Sequence, residues 1–323
     1  MAISHQLIGV DEVRAAGERI ARLGVTRTPI VRLNVDDAPA EIYLKLENLQ
    51  LIGSFKIRGM TNAIELADPA AVARGVWTVS AGNAGHGVAW NARRLGVSCS
   101  VVVPESAPDA KASALQRLGA SIVRLPFEDW LAVAGDRRFE GLEGLFVHPF
   151  SDPAVMAGNG TIALEILDEL PDVDVVLVPW GGGGLCCGIA SLLRRLAPNV
   201  RIFACEFSPT APLEASLAAG TPTEVPYQAS FVDGIGAPFV FPEMFDLARL
   251  LIDGSLSTSL NDVAEALRLV VRRNHVVPEG AAAVPVAVAL TGAAGTGRVV
   301  CVVSGGNIDQ GTLAHILTDG ASE

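Results

Sequence analysis

The apolar positions of the chain fall into short unbroken runs, not alternating stripes. "GVWTVSA" (75–81), "SCSVVVPES" (98–106), "ASIVRLPF" (120–127), "DVVLVPW" (174–180), "RIFACEF" (201–207) and "RVVCVVSGG" (298–306) are the clearest of them. Between them lie stretches with helical spacing: Gly85 to Leu95, "PDAKASALQRLG" (108–119) and "GLCCGIASLLRRLA" (184–197). A run of Val, Ile and Leu with no polar alternation is buried on both faces, and alternation with helices predicts parallel sheets covered on either side. The N-terminal stretch "MAISHQLIGVDEVRAAGERIARLG" reads as an amphipathic helix. No internal repeat and no low-complexity linker appears, so any domain boundary must fall in ordinary loops.

Composition narrows the class. The 323 residues are 50% hydrophobic and 18% charged, with a mean hydropathy of +0.40. That is ample core for a globular protein of enzyme size, most simply in two domains. No window approaches eighteen apolar residues, so no membrane span is predicted. The N-terminus has neither a secretory apolar segment nor the acid-poor character of a transit peptide, and a cytoplasmic location is expected. A net charge of −11 without a Lys/Arg cluster argues against nucleic-acid binding. The five cysteines (Cys99, Cys186, Cys187, Cys205, Cys301) are an odd number without metal-ligand spacing, and are expected buried and reduced.

In such sheets ligands bind beyond the carboxyl ends of the strands. Three loops there carry candidate chemistry. In "VPWGGGGLCCGIA", Gly181 to Gly184 join a buried strand to a helix. Such a junction makes an anion cradle of backbone N–H groups. A tight crossover is the alternative, although one or two glycines would serve it. In "VSAGNAGHGVA", Ser80, Asn83 and neighbouring N–H groups suit a carboxylate, and Asn83 could equally be a plain N-cap. In "VVSGGNID", Ser304 ends the last strand and could simply begin a turn. A fourth feature is Lys56, set between Phe55 and Ile57 in "LENLQLIGSFKIRGM". Such a lysine either snorkels, stem buried and ammonium wet, or is desolvated into a nucleophile. A phosphate cradle, a carboxylate loop, a lysine among apolar residues and a strand-end hydroxyl together are the parts a pyridoxal phosphate enzyme needs.

The chain resembles the fold-type II pyridoxal phosphate enzymes, within them the threonine/serine dehydratase and serine racemase group. "TPIVRL", "YLKLENLQLIGSFKIRGM", "VSAGNAGHGVAWNARRLGV", "VVVPESAPDAKASALQRLGA", "VHPFSDPAVMAGNGTIALEI", "VPWGGGGLCCGIA", "PEGAAA" and "VVSGGNID" occur in the family's order over most of the chain. The resemblance implies an α/β fold like the tryptophan synthase β chain, with two doubly wound parallel-sheet domains and the cofactor between them. Residues 1–66 and 149–323 would form the large cofactor-binding domain and 67–148 the small substrate-binding one. It further implies pyridoxal 5′-phosphate linked to Lys56, which also removes the substrate α-proton, with Phe55 packed beside it. Gly181, Gly182, Gly183, Gly184 and Leu185 would hold the phosphate and Asn83 the ring 3′-oxygen. Ser304 would face the ring nitrogen, and Glu279 of "PEGAAA" would lie near that edge. Ser80, Ala81, Gly82 and Asn83 would surround the substrate carboxylate.

Racemases of the group carry a second serine where this chain has Ala81, and alanine has no proton to give to the opposite face. The expectation is therefore a β-eliminating ammonia-lyase acting on L-threonine or L-serine. A 3-hydroxyaspartate-type dehydratase or a serine racemase is the alternative within the group, and a β-replacement synthase or a silent cofactor-binding protein lies outside it. The sequence departs from the family's pattern in several places. His86 stands two places later than the family's histidine, and is expected to be a pocket group for a polar substrate side chain or a solvent-facing first-turn residue. Trp180 replaces a small aliphatic residue and would narrow the pocket. Glu206 matches one carboxylate of a cation site found in part of the family, but Thr210, Ala211 and Pro212 stand where a second is needed, so no metal is expected. The long regulatory extension of biosynthetic threonine dehydratases is not seen after "SGGNIDQGTLAHIL", and feedback through it is not expected. A homodimer or homotetramer is expected from the family habit.

Overall fold

The computed structural model describes residues 7–107 and 109–319; the first six residues of the predicted N-terminal helix and Pro108, the first of the predicted 108–119 helix, lie outside them. Among the described residues, ten strands form two sheets. They are β1 (Ile30–Arg32), β2 (Glu41–Leu46), β3 (Val76–Val79), β4 (Cys99–Pro104), β5 (Ser121–Leu125), β6 (Leu145–Phe146), β7 (Val175–Pro179), β8 (Arg201–Ser208), β9 (Gly254–Ser259) and β10 (Arg298–Val303). The six-stranded sheet has the order β1-β2-β10-β7-β8-β9 and the four-stranded sheet the order β5-β4-β3-β6. Every pairing is parallel except β1 with β2. That antiparallel edge is a three-residue strand, too short to carry a pattern of its own.

The unbroken apolar runs are explained by the packing. Along β10, Val300 and Val302 enter one core, while Val299, Cys301 and Val303 enter another on the opposite face. The first core is closed by the helices Pro153–Glu169, Gly184–Leu196 and Pro242–Leu251. The second is closed by Leu260–Asn274 and by Gly280–Leu290, a helix of almost pure Ala and Val. The small sheet repeats the arrangement, with Val76, Val101 and Val103 on one side and Trp77, Val79 and Val102 on the other. All five cysteines are buried and unpaired by disulfide, and burial raises the pKa of each thiol.

Strand order determines where a ligand can sit. After β7 the chain moves outward through β8 and β9, and then β10 returns to the other side of β7. After β3 it moves outward through β4 and β5, and β6 returns to the other side of β3. Each sheet thus has a switch point where neighbouring strands send their loops in opposite directions, which opens a crevice. The loops at these two points are the glycine run after β7, Ser304 at the end of β10, Ser80–Asn83 after β3 and His148–Pro149 after β6.

Candidate active site

Two turns are zipped together at the base of the site. Ser54 and Gly305 form an antiparallel bridge, Phe55 N–H donates to the Ser304 carbonyl at 2.9 Å, and Gly306 N–H donates to the Gly53 carbonyl at 2.9 Å. This brings Lys56, the first residue of the helix Lys56–Leu66, beside the end of β10. Its Nζ donates to the Pro149 carbonyl at 2.5 Å and lies 5.1 Å from the centroid of the Phe55 ring. A carbonyl and a π-face hold an ammonium weakly. Burial pulls the Lys56 pKa down to about 8, against the opposing charge of Glu279. The amine thus gives up its proton more readily than a solvated lysine does, the property a nucleophile needs.

The helix Gly184–Leu196 begins on Gly183 without a side-chain cap. Its first N–H groups are therefore open to an anion, with the helix dipole adding to the attraction. Gly183 has φ +83°, and a Cβ there would stand 2.5 Å from Trp180 Cη2. At Gly182 a Cβ would lie 2.2 Å from the Phe150 ring, and at Gly184 2.3 Å from the Phe150 carbonyl oxygen. Packing alone demands glycine at these three positions, so tight crossover and anion cradle are properties of one loop. Trp180 does not narrow a pocket. It is 1% exposed and packs in the core against Gly183 and Met244.

Ser80, Ala81, Gly82 and Asn83 are all partly exposed. Ser80 Oγ accepts from the Gly82 N–H at 3.3 Å, and the helix Asn83–Leu95 starts on Gly82 without a side-chain cap. Asn83 is thus not the N-cap. Its carboxamide reaches across the crevice, Nδ2 donating to Glu279 Oε1 at 2.9 Å and Oε2 at 3.1 Å. Its Oδ1 accepts from Asn307 Nδ2 at 2.7 Å. Burial raises the Glu279 pKa to about 7, with the Asn83 hydrogen bond opposing. Ser304 is 2% exposed at the β10 terminus. The site therefore gathers Phe55, Lys56, Asn83, Glu279 and Ser304 from segments far apart in sequence. Pro149 and Asn307 were missed by the sequence reading. A carbonyl leaves no trace in sequence, and an asparagine after two glycines reads as a turn.

His86 sits in the first turn of its helix, half-buried, and its Nε2 is buried with no hydrogen-bond partner among the described residues. Burial, then Lys111 and Arg117, lower its pKa, so the imidazole is neutral. Glu206 is engaged as a cap. It accepts from the Leu213 and Glu214 N–H groups at 2.9 and 2.8 Å and from Ser255 Oγ at 2.7 Å. Among the described residues, no group of three His, Cys, Asp or Glu could hold a metal ion. A cavity of about 810 Å³, its walls including Lys111, Asp233 and His315, adjoins Glu279 and Asn307 but is not lined by Lys56 or the glycine loop.

A lysine with a depressed pKa and an uncapped helix over a glycine loop lie at the switch point of the large sheet, and the hydroxyl and amide groups of the Ser80–Asn83 turn face them from that of the small sheet, an arrangement suited to a lysine-anchored, phosphate-bearing cofactor. The chain belongs to the family of pyridoxal-phosphate dependent enzymes, whose model matches residues 21–305. The uncapped N–H cradle and the half-buried amine suit that cofactor's phosphate and aldehyde. The chain is 40% identical over 314 residues to an L-threonine ammonia-lyase of Geobacter sulfurreducens, covering 95% of this chain and 78% of that protein. It is 34% identical over 325 residues to the catabolic L-threonine dehydratase of Escherichia coli, covering 98% of each. Its fold matches that of maize serine racemase with a TM-score of 0.87 at 30% identity, covering 96% and 97% of the two chains.

Proposed function

We propose that the protein is an ammonia-lyase that eliminates the β-hydroxyl of L-threonine or L-serine as water, the resulting imine then taking up water to release ammonia and a 2-oxo acid. The observation that carries this reading is Ala81. It lies in the half-exposed Ser80–Asn83 turn, where a second hydroxyl would serve the face of the substrate away from Lys56, and a methyl group can neither give nor take a proton. The near full-length likeness to threonine ammonia-lyase and dehydratase supports the same choice.

Pyridoxal phosphate supplies the electron sink for loss of the α-proton. Every other part falls to the chain. Lys56, with its pKa near 8, holds the cofactor and takes the α-proton on its own face. The N–H groups of Gly181 to Leu185 bind the phosphate, and Phe55 walls the lysine. The Ser80–Asn83 turn orients the substrate carboxylate, and Asn83 also reaches the ring oxygen. Ser304 would meet the ring nitrogen as a neutral hydroxyl. It does not stabilise a protonated ring as a carboxylate would, which favours prompt loss of the β-hydroxyl. Neutral His86 lies one turn from Asn83 on the same helix.

We assign residues 67–148 to a small substrate-binding domain, and 1–66 with 149–323 to the cofactor domain. The active form is a cytoplasmic homodimer or homotetramer. Among the described residues no helix is long and apolar enough to cross a membrane. The test is to supply L-threonine, L-serine and 3-hydroxyaspartate to the holoenzyme and measure oxo acid, ammonia and D-serine. Oxo acid and ammonia from threonine or serine, without D-serine, is the expected result, and Ala81→Ser should make D-serine measurable. A wild-type enzyme that racemises serine as fast as it eliminates overturns the reading.

A further inference from the structure

A carboxamide has two unlike ends, and which end faces a ligand decides whether it gives or takes a hydrogen bond. The ring oxygen of pyridoxal phosphate is an acceptor when ionised, so Asn83 helps it only by presenting Nδ2. The groups around Asn83 dictate that choice. Ile52 has a backbone carbonyl, which can only accept, and Asn307 Nδ2 donates to it at 2.8 Å. The same nitrogen donates its second hydrogen to Asn83 Oδ1 at 2.7 Å. With Oδ1 taken, Nδ2 of Asn83 must turn the other way, and there it meets Glu279 at 2.9 and 3.1 Å. Nδ2 carries two hydrogens; one directed between the two Glu279 oxygens serves both contacts, which would leave the second for the ring.

Asn307 is itself clamped. Its backbone N–H holds Glu279. Its Oδ1 fills the space where a Cβ at Gly53 would lie, 2.5 Å away. Gly53 (φ +73°) thus admits the carboxamide between the two turns that pair Ser54 with Gly305. Polarity set by one backbone carbonyl passes through two amides to the edge of the cofactor site.

We propose that Asn307 is a positioning residue: it fixes the polarity of the Asn83 carboxamide so that a donor, not an acceptor, faces the cofactor ring oxygen. The inference rests on the pyridoxal phosphate reading of the site. An N–H donated to the ring oxygen stabilises its ionised form, and losing it raises the pH at which the lysine-bound cofactor changes colour.

The experiment is a pH titration of the cofactor absorbance in holoenzyme of wild type, Asn307→Asp, Asn307→Ala, Asn83→Ala and the Asn83→Ala/Asn307→Asp double variant. Asn307→Asp turns the donor into an acceptor, and its midpoint should rise by about one pH unit, the equivalent of tenfold in the ring's proton affinity. Asn307→Ala, which adds no charge, should move the midpoint the same way by less. In the Asn83→Ala background Asn307→Asp should add nothing, because it acts through Asn83. Midpoints unchanged in both single Asn307 variants, or fully additive shifts in the double variant, overturn the proposal. Wild-type protein without a visible absorbance band would sink the cofactor reading instead, so the two failures are separable.

Discussion

Two polar clusters flank the helix that starts at Lys56, one buried and one open to the crevice, and they are built on opposite terms. In the first, two residues along from Lys56, Arg58 forks into Glu47 at 2.7 and 2.8 Å and into Glu165 at 2.7 and 2.8 Å. Lys45 adds a bond to Glu165 at 2.5 Å. Two cations face two carboxylates. Burial works against ionising Glu47, but Arg58 outweighs it and holds the carboxyl below its usual range; Arg58 is held correspondingly high. Burial pulls Lys45 down despite Glu165. In the second cluster Lys56 has a carbonyl and the Phe55 ring, and Glu279 has neutral amides as hydrogen-bond partners. Their pKa values move towards each other, to about 8 and about 7. Paired charges make an anchor; charges left with neutral partners become reagents that titrate near working pH.

If that contrast is right, mutations on the same helix two residues apart have opposite consequences. Lys56→Ala should remove activity by at least about 10³-fold, the scale of a lost positioned base and nucleophile. It should also abolish the reducible lysine–cofactor adduct and leave unfolding in urea little changed. Arg58→Met leaves Glu47 and Glu165 buried without their main partner and should cost about 3–5 kcal/mol of unfolding free energy. A lysine adduct persisting in Lys56→Ala, or an Arg58→Met protein within about 1 kcal/mol of wild type, would break the comparison.

The same contrast predicts a pH dependence. A carboxyl whose folded pKa is raised binds its proton more tightly in the folded state. Its stabilising share is complete below about 4.5, the ordinary value, and is lost as pH rises to about 7. Lys56 runs the other way. With its folded pKa depressed, its share is present above about 10.5 and is lost as pH falls through about 8. Glu279→Gln in cofactor-free protein should therefore flatten the fall in stability between pH 4.5 and 7 by about 3 kcal/mol. Glu206, also raised to about 7 by burial, keeps its own share and serves as the control. An unaltered curve in Glu279→Gln would show that Glu279 is ionised throughout.

What could be read in advance follows the reach of each signal. β7 and β10 were legible because burial on both faces leaves an unbroken local run. The glycine loop was legible because four glycines serve no helix or strand. Lys56 itself remained ambiguous, since its pKa depends on burial by distant segments and on Glu279, which no local pattern brings to it. The Lys56–Pro149 bond spans 93 residues and the Asn83–Asn307 bond 224. The Arg58 fork was missed for the same reason, for Glu165 lies 107 residues away. The topology of the two switch points, not the composition of any segment, brings these groups together.

The smallest predicted effect concerns His86, in the first turn of the helix that begins at Asn83. From sequence, a protonated His86 would favour a substrate with a second carboxylate through a charge-assisted bond of about 1.5–3 kcal/mol. The structure removes that charge, because burial and the cations Lys111 and Arg117 keep the ring neutral. A neutral imidazole offers an ordinary hydrogen bond worth about 0.5–1.5 kcal/mol, and has no special affinity for a carboxylate. Its Nε2 is buried and unpartnered among the described residues, so deleting the ring should not destabilise the free protein, and should raise its stability by up to about 1 kcal/mol. Measured as kcat/KM, His86→Ala should lose about two- to tenfold on threonine, serine and 3-hydroxyaspartate alike, with the ranking of the three preserved. A loss on 3-hydroxyaspartate more than tenfold beyond that on threonine would mean that substrate binding recharges the ring. His86 would then join Lys56 and Glu279 as a group whose proton is set by its ligand.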